Sequence, residues 1–251
     1  MRRPLVIGNW KMHGSQLSVD LLLEGVVAGV AGLALDIAVC PPFVYLAQAA
    51  RRLAGTEVQL AAQSLSEYEG GAYTGEVGGA MLADVGCHLV LVGHSERRRL
   101  FGETDVRVAR QFERAHAAGV VPVLCVGEDA TERDAEATWP VLNRQIRAVA
   151  DLIGWEAVGK SVIAYEPVWA IGTGATAMPA QVQEILERVR GLLGSAGAET
   201  RLLYGGSVSH ENTAQLCALS DVDGVLVGGA SLRAEEFAAI CGQAVGESWK
   251  P

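Results

Sequence analysis

The chain has 251 residues, half of them apolar, and a formal net charge of −9 at pH 7. A chain of this length and apolar content can bury a large core, which excludes general disorder. The acidic balance argues against nucleic acid or an anionic membrane as the main partner, because binding phosphate backbones requires clustered Lys and Arg.

Short runs rich in Val, Ile and Leu recur along the chain, each followed by a longer amphipathic stretch. Most runs lack strict apolar and polar alternation, which is typical of parallel strands covered on both faces. In chain order they span residues 5–7, 35–39, 58–61, 89–92, 121–126, 162–165, 202–204 and 225–227.

Two of the intervening stretches predict helices most clearly. One covers about residues 105–118, with Thr104 as its N-cap and Gly119 at its end. The other begins with Pro179 in its first turn, carries an apolar stripe at helical spacing and ends near Gly194.

Eight strand–helix units in 251 residues predict an α/β fold, the (β/α)₈ or TIM barrel, as a single domain over residues 1–251. A doubly wound open sheet is the alternative. In both architectures ligands bind where the strands end, so polar residues just after each run are the candidates for chemistry.

The cysteines and the N-terminus bear on the compartment. The five cysteines stand far apart and form no C-x-x-C pair, which is typical of reduced thiols in a cytosolic protein. The first apolar run is too short for a secretory or membrane-spanning segment. We therefore expect a cytoplasmic protein without a membrane partner.

Two motifs suggest nucleotide binding, but in the wrong context. Residues 154–161 satisfy the P-loop pattern G-x-x-x-x-G-K-[ST], yet they leave a helical stretch and enter a strand, the reverse of a P-loop. Residues 172–177 fit a loose dinucleotide fingerprint, but they do not follow a strand directly.

Polar residues follow the first, fourth and sixth runs. Asn9 and Lys11 follow the first run. His94 follows the fourth, at a predicted helix start whose positive end keeps an imidazole neutral. Glu166 closes the sixth, where a carboxylate is unfavourable unless it is used or paired, which favours a general base. Taken singly, a solvated lysine and a hydrogen-bonded core histidine are the ordinary alternatives. No pair of histidines has metal-ligand spacing, so no metal site is predicted.

Glycine pairs follow the seventh and eighth runs, at residues 205–206 and 228–229, where barrels often bind phosphate through backbone N–H groups. The segment after Glu166 carries Val168, Trp169 and Ile171 between a proline and two glycines. Such a segment can close over a site as one apolar piece. Its alternative is a structural loop packed under a helix.

Together these motifs resemble the triosephosphate isomerase family over nearly the whole chain. The resemblance is carried, in family order, by residues 8–11, 62–76, 92–98, 125–128, 165–174, 204–208 and 223–232. It implies interconversion of dihydroxyacetone phosphate and glyceraldehyde 3-phosphate with neither metal nor organic cofactor.

The resemblance also implies roles for the four polar residues. Glu166 removes the proton next to the carbonyl, and neutral His94 polarises that carbonyl. Lys11 supplies positive charge for the substrate and the developing enediolate, and Asn9 donates a hydrogen bond nearby.

Further roles follow by the same resemblance. Ile171 and Leu226 clamp the catalytic carboxylate when the lid shuts. Ser95 holds the open position of that carboxylate, and Glu96 pairs with the catalytic lysine. Backbone N–H groups at four positions hold the phosphate: Gly172, Ser207, Gly228 and Gly229.

The segment from about residue 63 to 79 is too long for a plain connection, which indicates an interaction role. By resemblance it inserts into a second subunit with Thr74 at its tip, so a homodimer is expected. The chain departs from the family pattern at the lid, where Ala175 replaces a frequent Lys and Met178 a Ser or Thr N-cap. Residues 134–138 also lack a glycine often found there.

Two other functions are weaker alternatives. One is a phosphate-binding barrel without turnover, and the presence of all four polar residues argues against it. The other is a P-loop nucleotide-binding protein based on residues 154–161.

Overall fold

The computed structural model describes residues 2–171 and 176–246. Within these residues eight parallel strands form a closed barrel in sequence order, and the last strand pairs with the first. The strands are β1 (Leu5–Asn9), β2 (Asp36–Cys40), β3 (Val58–Ala62), β4 (Leu89–Val92), β5 (Val121–Val126), β6 (Val162–Tyr165), β7 (Arg201–Tyr204) and β8 (Gly224–Val227). The predicted (β/α)₈ barrel is confirmed, and the open-sheet alternative is wrong because the sheet closes.

Helices surround the barrel. They are α1 (Gln16–Val30), α2 (Leu46–Leu53), α3 (Gly79–Val85), α4 (Ser95–Phe101), α5 (Asp105–Ala117), α6 (Ala130–Asp134), α7 (Thr138–Ile153), α8 (Trp155–Gly159), α9 (Pro179–Leu193), α10 (His210–Cys217) and α11 (Ala234–Ala244). Short 3₁₀ helices cover Phe43–Tyr45, Val168–Ala170, Gly194–Ala198 and Gly229–Leu232. No described helix is both long and apolar enough to cross a membrane.

Both helices singled out in the sequence are confirmed. The Thr104 side chain accepts a hydrogen bond from the backbone N–H of Arg107 and so caps α5. Pro179 is the first residue of α9, and Gly194 with φ 57° ends it. Met178 provides no side-chain cap for α9, as its thioether predicts, but its own N–H donates to the Gln181 side chain at 3.2 Å.

The strands extend beyond some apolar runs. β1 continues through Asn9 because Gly8 and Asn9 pair with Val39 and Cys40 of β2. Backbone pairing with a parallel neighbour thus carries a polar residue inside the strand, where its side chain reaches the end of the barrel. This extension positions the first site residue.

Alternate strand residues pack on the two sides of the barrel wall. One buried cluster fills the interior and includes Leu5, Ile7, Leu89 and Leu91. The other includes the intervening residues, such as Val6, and packs against the helices. Both faces are therefore apolar, which explains why the runs lack alternation.

The P-loop pattern at residues 154–161 forms no phosphate loop. α7 ends before Gly154, the pattern continues as α8, and β6 follows. Lys160 lies on the surface, paired with Glu156 at 2.7 Å. The dinucleotide fingerprint falls largely on residues 172–175, outside the described residues.

Candidate active site

Most of the predicted site residues converge on one cavity at the carboxyl ends of the strands. The cavity has a volume of about 320 Å³, within the range of small-molecule sites. Its walls include Asn9, Lys11, His94, Glu166, Ile171, Ser207, Leu226, Gly228 and Gly229. Gly172 and Ala175 lie outside the described residues.

Lys11 has an unusual backbone conformation just after β1. Its φ is 50°, in the left-handed region that a residue with a side chain rarely adopts. Two neighbours hold it there: its N–H donates to Asn9 Oδ1 at 3.0 Å, and its carbonyl accepts from Gln63 Nε2 at 2.8 Å. The strain therefore fixes the direction in which the lysine side chain leaves the strand.

The Lys11 ammonium is held by a carboxylate. Its Nζ lies 2.6 Å from Oε1 of Glu96, as the resemblance implied for this pair. Burial raises the pKa of Glu96, but the hydrogen bond and the charge of Lys11 outweigh burial and lower it overall. Glu96 is thus ionised at neutral pH and holds the Lys11 side chain at the cavity.

His94 caps the start of α4 with its ring. Its Nδ1 accepts a hydrogen bond from the N–H of Glu96 at 3.3 Å. A ring nitrogen that accepts carries no proton, which assigns the proton of the neutral ring to Nε2. His94 therefore presents an N–H donor to the cavity.

Glu166 directly follows β6 and is only 1% exposed. Its Oε2 accepts a hydrogen bond from the N–H of Ser95 at 2.8 Å. Its Oε1 lies 3.1 Å from Nε2 of His94, but the alignment falls short of a hydrogen bond, so Oε1 accepts none from the described residues. A buried carboxylate oxygen that accepts no hydrogen bond is unfavourable unless the reaction uses it.

Glycines permit the close packing around Glu166. A Cβ on Gly127 would lie 1.8 Å from the Glu166 carbonyl oxygen, and one on Gly205 would lie 3.0 Å from the Glu166 Cγ. Cys125 lies in the same region, and burial, with the neighbouring Glu166 carboxylate, raises its pKa well above that of a free thiol. The thiol of Cys125 beside Glu166 is therefore neutral at pH 7.

Backbone groups from β7 and β8 form the opposite wall. Gly228 lies close to Lys11, since a Cβ there would be 3.8 Å from the Lys11 Nζ. Ser207 Oγ donates to the carbonyl of Ala170 at 2.7 Å, and Asn212 Nδ2 donates to the carbonyl of Ser207 at 3.0 Å. These bonds fix a loop whose N–H groups and hydroxyl border the cavity beside a positive charge.

The segment after Glu166 is anchored by Glu128. The Val168 N–H donates to the Glu128 carbonyl at 3.0 Å, and Trp169 Nε1 donates to the Glu128 carboxylate at 2.8 Å. The Tyr165 hydroxyl lies 3.1 Å from the same carboxylate oxygen. Burial raises the pKa of Glu128 despite these donors.

Sequence reasoning missed three of these supporting residues, namely Gln63, Glu128 and Asn212. A usable signal existed for Glu128, which stands just beyond a buried strand as Glu166 does. Gln63 has no comparable signal, because it donates to the carbonyls of Lys11 and Cys40 in distant segments. Asn212 has a local one, because it stands three residues after Ser209 and accepts from the Ser209 N–H at the start of α10.

Thr74 lies away from the cavity. It stands in an exposed part of the connection between β3 and α3, where Tyr68 and Tyr73 stack with ring centroids 3.9 Å apart. The tip is thus ordered by its own side chains and projects from the barrel.

The chain is similar to known proteins over nearly its whole length. The family model described as triosephosphate isomerase matches residues 4–244. The triosephosphate isomerase of Dechloromonas aromatica is 51% identical over 246 residues, which cover 96% of this chain and 98% of that protein. The enzyme of Nitrosococcus oceani is 50% identical over 251 residues, covering 98% and 100%. That of Pseudomonas aeruginosa is 51% identical over 246 residues, covering 96% and 98%.

Proposed function

The chain belongs to the triosephosphate isomerase family, and from that premise we propose how its residues divide the reaction. The protein is an enzyme that interconverts dihydroxyacetone phosphate and glyceraldehyde 3-phosphate. The reaction moves a proton between two neighbouring carbons, so it needs a base for carbon-bound protons and a stabiliser for the negative charge on oxygen.

Glu166 is the base. The observation that carries this assignment is its buried carboxylate, whose Oε1 lies 3.1 Å from the His94 Nε2 at the cavity. Oε1 removes a proton from the carbon next to the carbonyl, the electron pair moves onto the carbonyl oxygen, and an enediolate forms. His94 then passes a proton to this oxygen and takes one from the neighbouring hydroxyl, and the protonated Glu166 returns its proton to the former carbonyl carbon as the neighbouring oxygen becomes the new carbonyl.

His94 and Lys11 stabilise the negative charge that develops on oxygen. The Nε2 proton of His94 is available to the carbonyl oxygen, because the other ring nitrogen is already committed as an acceptor. Lys11 adds a full positive charge, and Asn9 both fixes the Lys11 backbone and lines the cavity. Fixed donors of this kind contribute about 10²–10³-fold each in comparable enzymes.

The phosphate binds at the opposite wall. Ser207, Gly228 and Gly229 offer backbone N–H groups close to the Lys11 ammonium, which suits a dianion. Gly172 completes this set by resemblance. Ile171 and Leu226 line the same cavity and exclude water from the carboxylate.

Ser95 and Glu96 position Glu166 and Lys11, respectively. The Ser95 N–H holds Glu166 in its present position, and release of that bond frees Oε2 when substrate binds. Glu96 holds the Lys11 side chain at the cavity. Neither residue needs to contact the substrate.

The test is Glu166→Gln, which keeps the size of the side chain and removes the base. We expect the rate of triose phosphate interconversion in a coupled assay to fall by about 10²–10⁴-fold. Phosphoglycolate, which carries a phosphate and a planar carboxylate, should still bind in calorimetry. Glu156→Gln is the matched control, since Glu156 is exposed and remote. Near-native activity of Glu166→Gln would show that the base is misassigned.

The protein acts as a homodimer. Large apolar side chains are exposed along the part of the chain between β1 and α5, among them Met12 (94%), Val44 (80%), Met81 (57%) and Phe101 (62%). The β3 to α3 connection, with Thr74 in its exposed part, belongs to the same part of the chain, and exposed apolar side chains of this kind suit contact with a second copy. Sedimentation equilibrium should give twice the chain mass, and a fully active monomer would contradict the proposal.

We place the enzyme in the cytoplasm without nucleic acid partners. None of its five cysteines forms a disulfide, which suits a reducing compartment. The net charge of −9 disfavours phosphate backbones. Fractionation of the native cell followed by the activity assay checks the location.

A further inference from the structure

Arg133, near the end of α6, covers the ring of Trp169. Its guanidinium carbon lies 3.5 Å from the ring centroid. The other Arg–aromatic contacts in the described part of the chain are longer, at 4.6, 5.1 and 5.7 Å. A guanidinium at this distance stacks on the indole face, the most favourable of the aromatic faces for a cation.

Arg133 is exposed, and within the described residues it takes part in no side-chain hydrogen bond or ion pair. The Trp169 ring is therefore the contact that fixes this flexible side chain. Asp129 and Glu132 form a capping box at the start of the helix that carries Arg133. Glu136, with φ 55°, takes a left-handed position just beyond α6.

Trp169 is held on its other side by Glu128, and it stands three residues after Glu166. The Trp169 Nε1 and the Val168 N–H both donate to Glu128. The next residue, Ala170, accepts from Ser207 Oγ of the phosphate wall. The backbone that carries Glu166 is therefore connected directly to the indole that Arg133 covers.

We propose that Arg133 is a positioning residue for the reaction: by stacking on Trp169 it fixes the segment after Glu166 and thereby the pose of the base. This proposal rests on the proposed role of Glu166. The stack also shields the hydrogen bond between Trp169 and Glu128 from water, which strengthens that bond. Without Arg133, the indole and its backbone gain freedom, so the segment no longer guides Glu166 when it leaves the Ser95 N–H, and the carboxylate reaches the productive position less often.

The test is Arg133→Met, which keeps the length of the side chain and removes its charge and plane. We expect kcat to fall about fivefold, corresponding to about 1 kcal/mol, with KM changed less than twofold. Arg133→Lys should recover part of the loss, because an ammonium also binds an aromatic face, though less well. A purely structural role would lower the melting temperature and leave kcat of the folded enzyme unchanged.

A second readout follows Trp169 itself. In enzyme labelled with 5-fluorotryptophan, the ¹⁹F resonance lost in Trp169→Phe identifies this ring, and Arg133→Met should shift it. The matched control is Arg147→Met, which removes the contact between Arg147 and Trp155. It should move the Trp155 resonance and leave kcat intact.

A wild-type kcat in Arg133→Met, or an unmoved Trp169 resonance, would overturn the proposal. Failure of the proposed base would be seen separately, as retained activity of Glu166→Gln. If Glu166→Gln is inactive and Arg133→Met is fully active, the function stands and the role of Arg133 is wrong.

Discussion

Replacing Asp223 by Ala should destabilise the fold by about 3–5 kcal/mol, because this carboxylate joins elements that the sheet alone connects weakly. β7 and β8 share a single register pair, Tyr204 with Val225. Just before β8, the backbone of Asp223 donates to the Leu202 carbonyl at 2.7 Å and accepts from the N–H of Leu5 at 2.9 Å.

The Asp223 side chain accepts three more hydrogen bonds at the junction of β7 and β8. Its Oδ2 accepts from the Leu202 N–H at 2.9 Å and from Arg190 at 2.7 Å, and its Oδ1 accepts from Arg2 at 2.7 Å. The Asp223 side chain is 6% exposed and that of Arg190 is 16% exposed, so water replaces little of what is lost. The alanine variant leaves a buried N–H and a guanidinium with fewer partners.

The magnitude follows from these contacts. Hydrogen bonds to charged groups contribute about 1.5–3 kcal/mol each, which for three bonds gives an upper bound of about 9 kcal/mol. The sum overestimates the loss, since Arg190 keeps the Asp221 carboxylate and three backbone carbonyls. Breaking a buried ion pair costs about 3–5 kcal/mol, which lowers the melting temperature of a chain of this size by about 6–20 °C.

Urea unfolding followed by circular dichroism, at one fixed protein concentration, measures the difference. Glu156→Ala is the control, because its ion pair with Lys160 lies on the surface and its removal should leave the midpoint unchanged. Equal urea midpoints for Asp223→Ala and Glu156→Ala would refute the expectation that the junction of β7 and β8 depends on this carboxylate.

Other consequences can be measured with similar variants. Gly127→Ala should lower kcat by about 10²-fold, because the added Cβ would lie 1.8 Å from the Glu166 carbonyl oxygen and would displace that residue. Gly191→Ala, whose added Cβ would have nothing within 4 Å, should leave kcat unchanged. Equal kcat values for the two variants would contradict this expectation. Burial raises the pKa of Asp221, but hydrogen bonds from the neighbouring guanidinium and amide lower it overall. The ionised Asp221 carboxylate therefore stabilises the folded protein above its ordinary pKa, and this stabilisation is lost as the pH falls below about 4. Asp221→Asn should reduce the fall of the urea midpoint at acid pH. The same fall in the variant and the parent protein would contradict this expectation. Burial raises the pKa of Cys217 to about 11, so the native thiols should react slowly with Ellman's reagent at pH 8. All five should react in urea. Rapid reaction of the native protein would contradict this expectation.

The sequence by itself determined the elements and the type of barrel. Eight apolar runs separated by amphipathic stretches of helix length leave few alternatives to a closed parallel barrel, since both faces of each strand must be covered. Polar residues at the ends of the runs then had to lie at one end of the barrel. The positions of Asn9, Lys11, His94 and Glu166 around one cavity follow from that rule.

Only the tertiary structure decided how those residues touch. The pairing of Lys11 with Glu96, the Ser95 N–H on Glu166 and the supporting contacts of Gln63 join residues that are distant in the chain. Their distances depend on how the strands are staggered when the barrel closes, and local patterns do not encode that stagger. The same holds for Arg133, which the sequence does not distinguish from any other surface arginine. It contacts the segment after Glu166 only because α6 lies beside Trp169 in the folded chain.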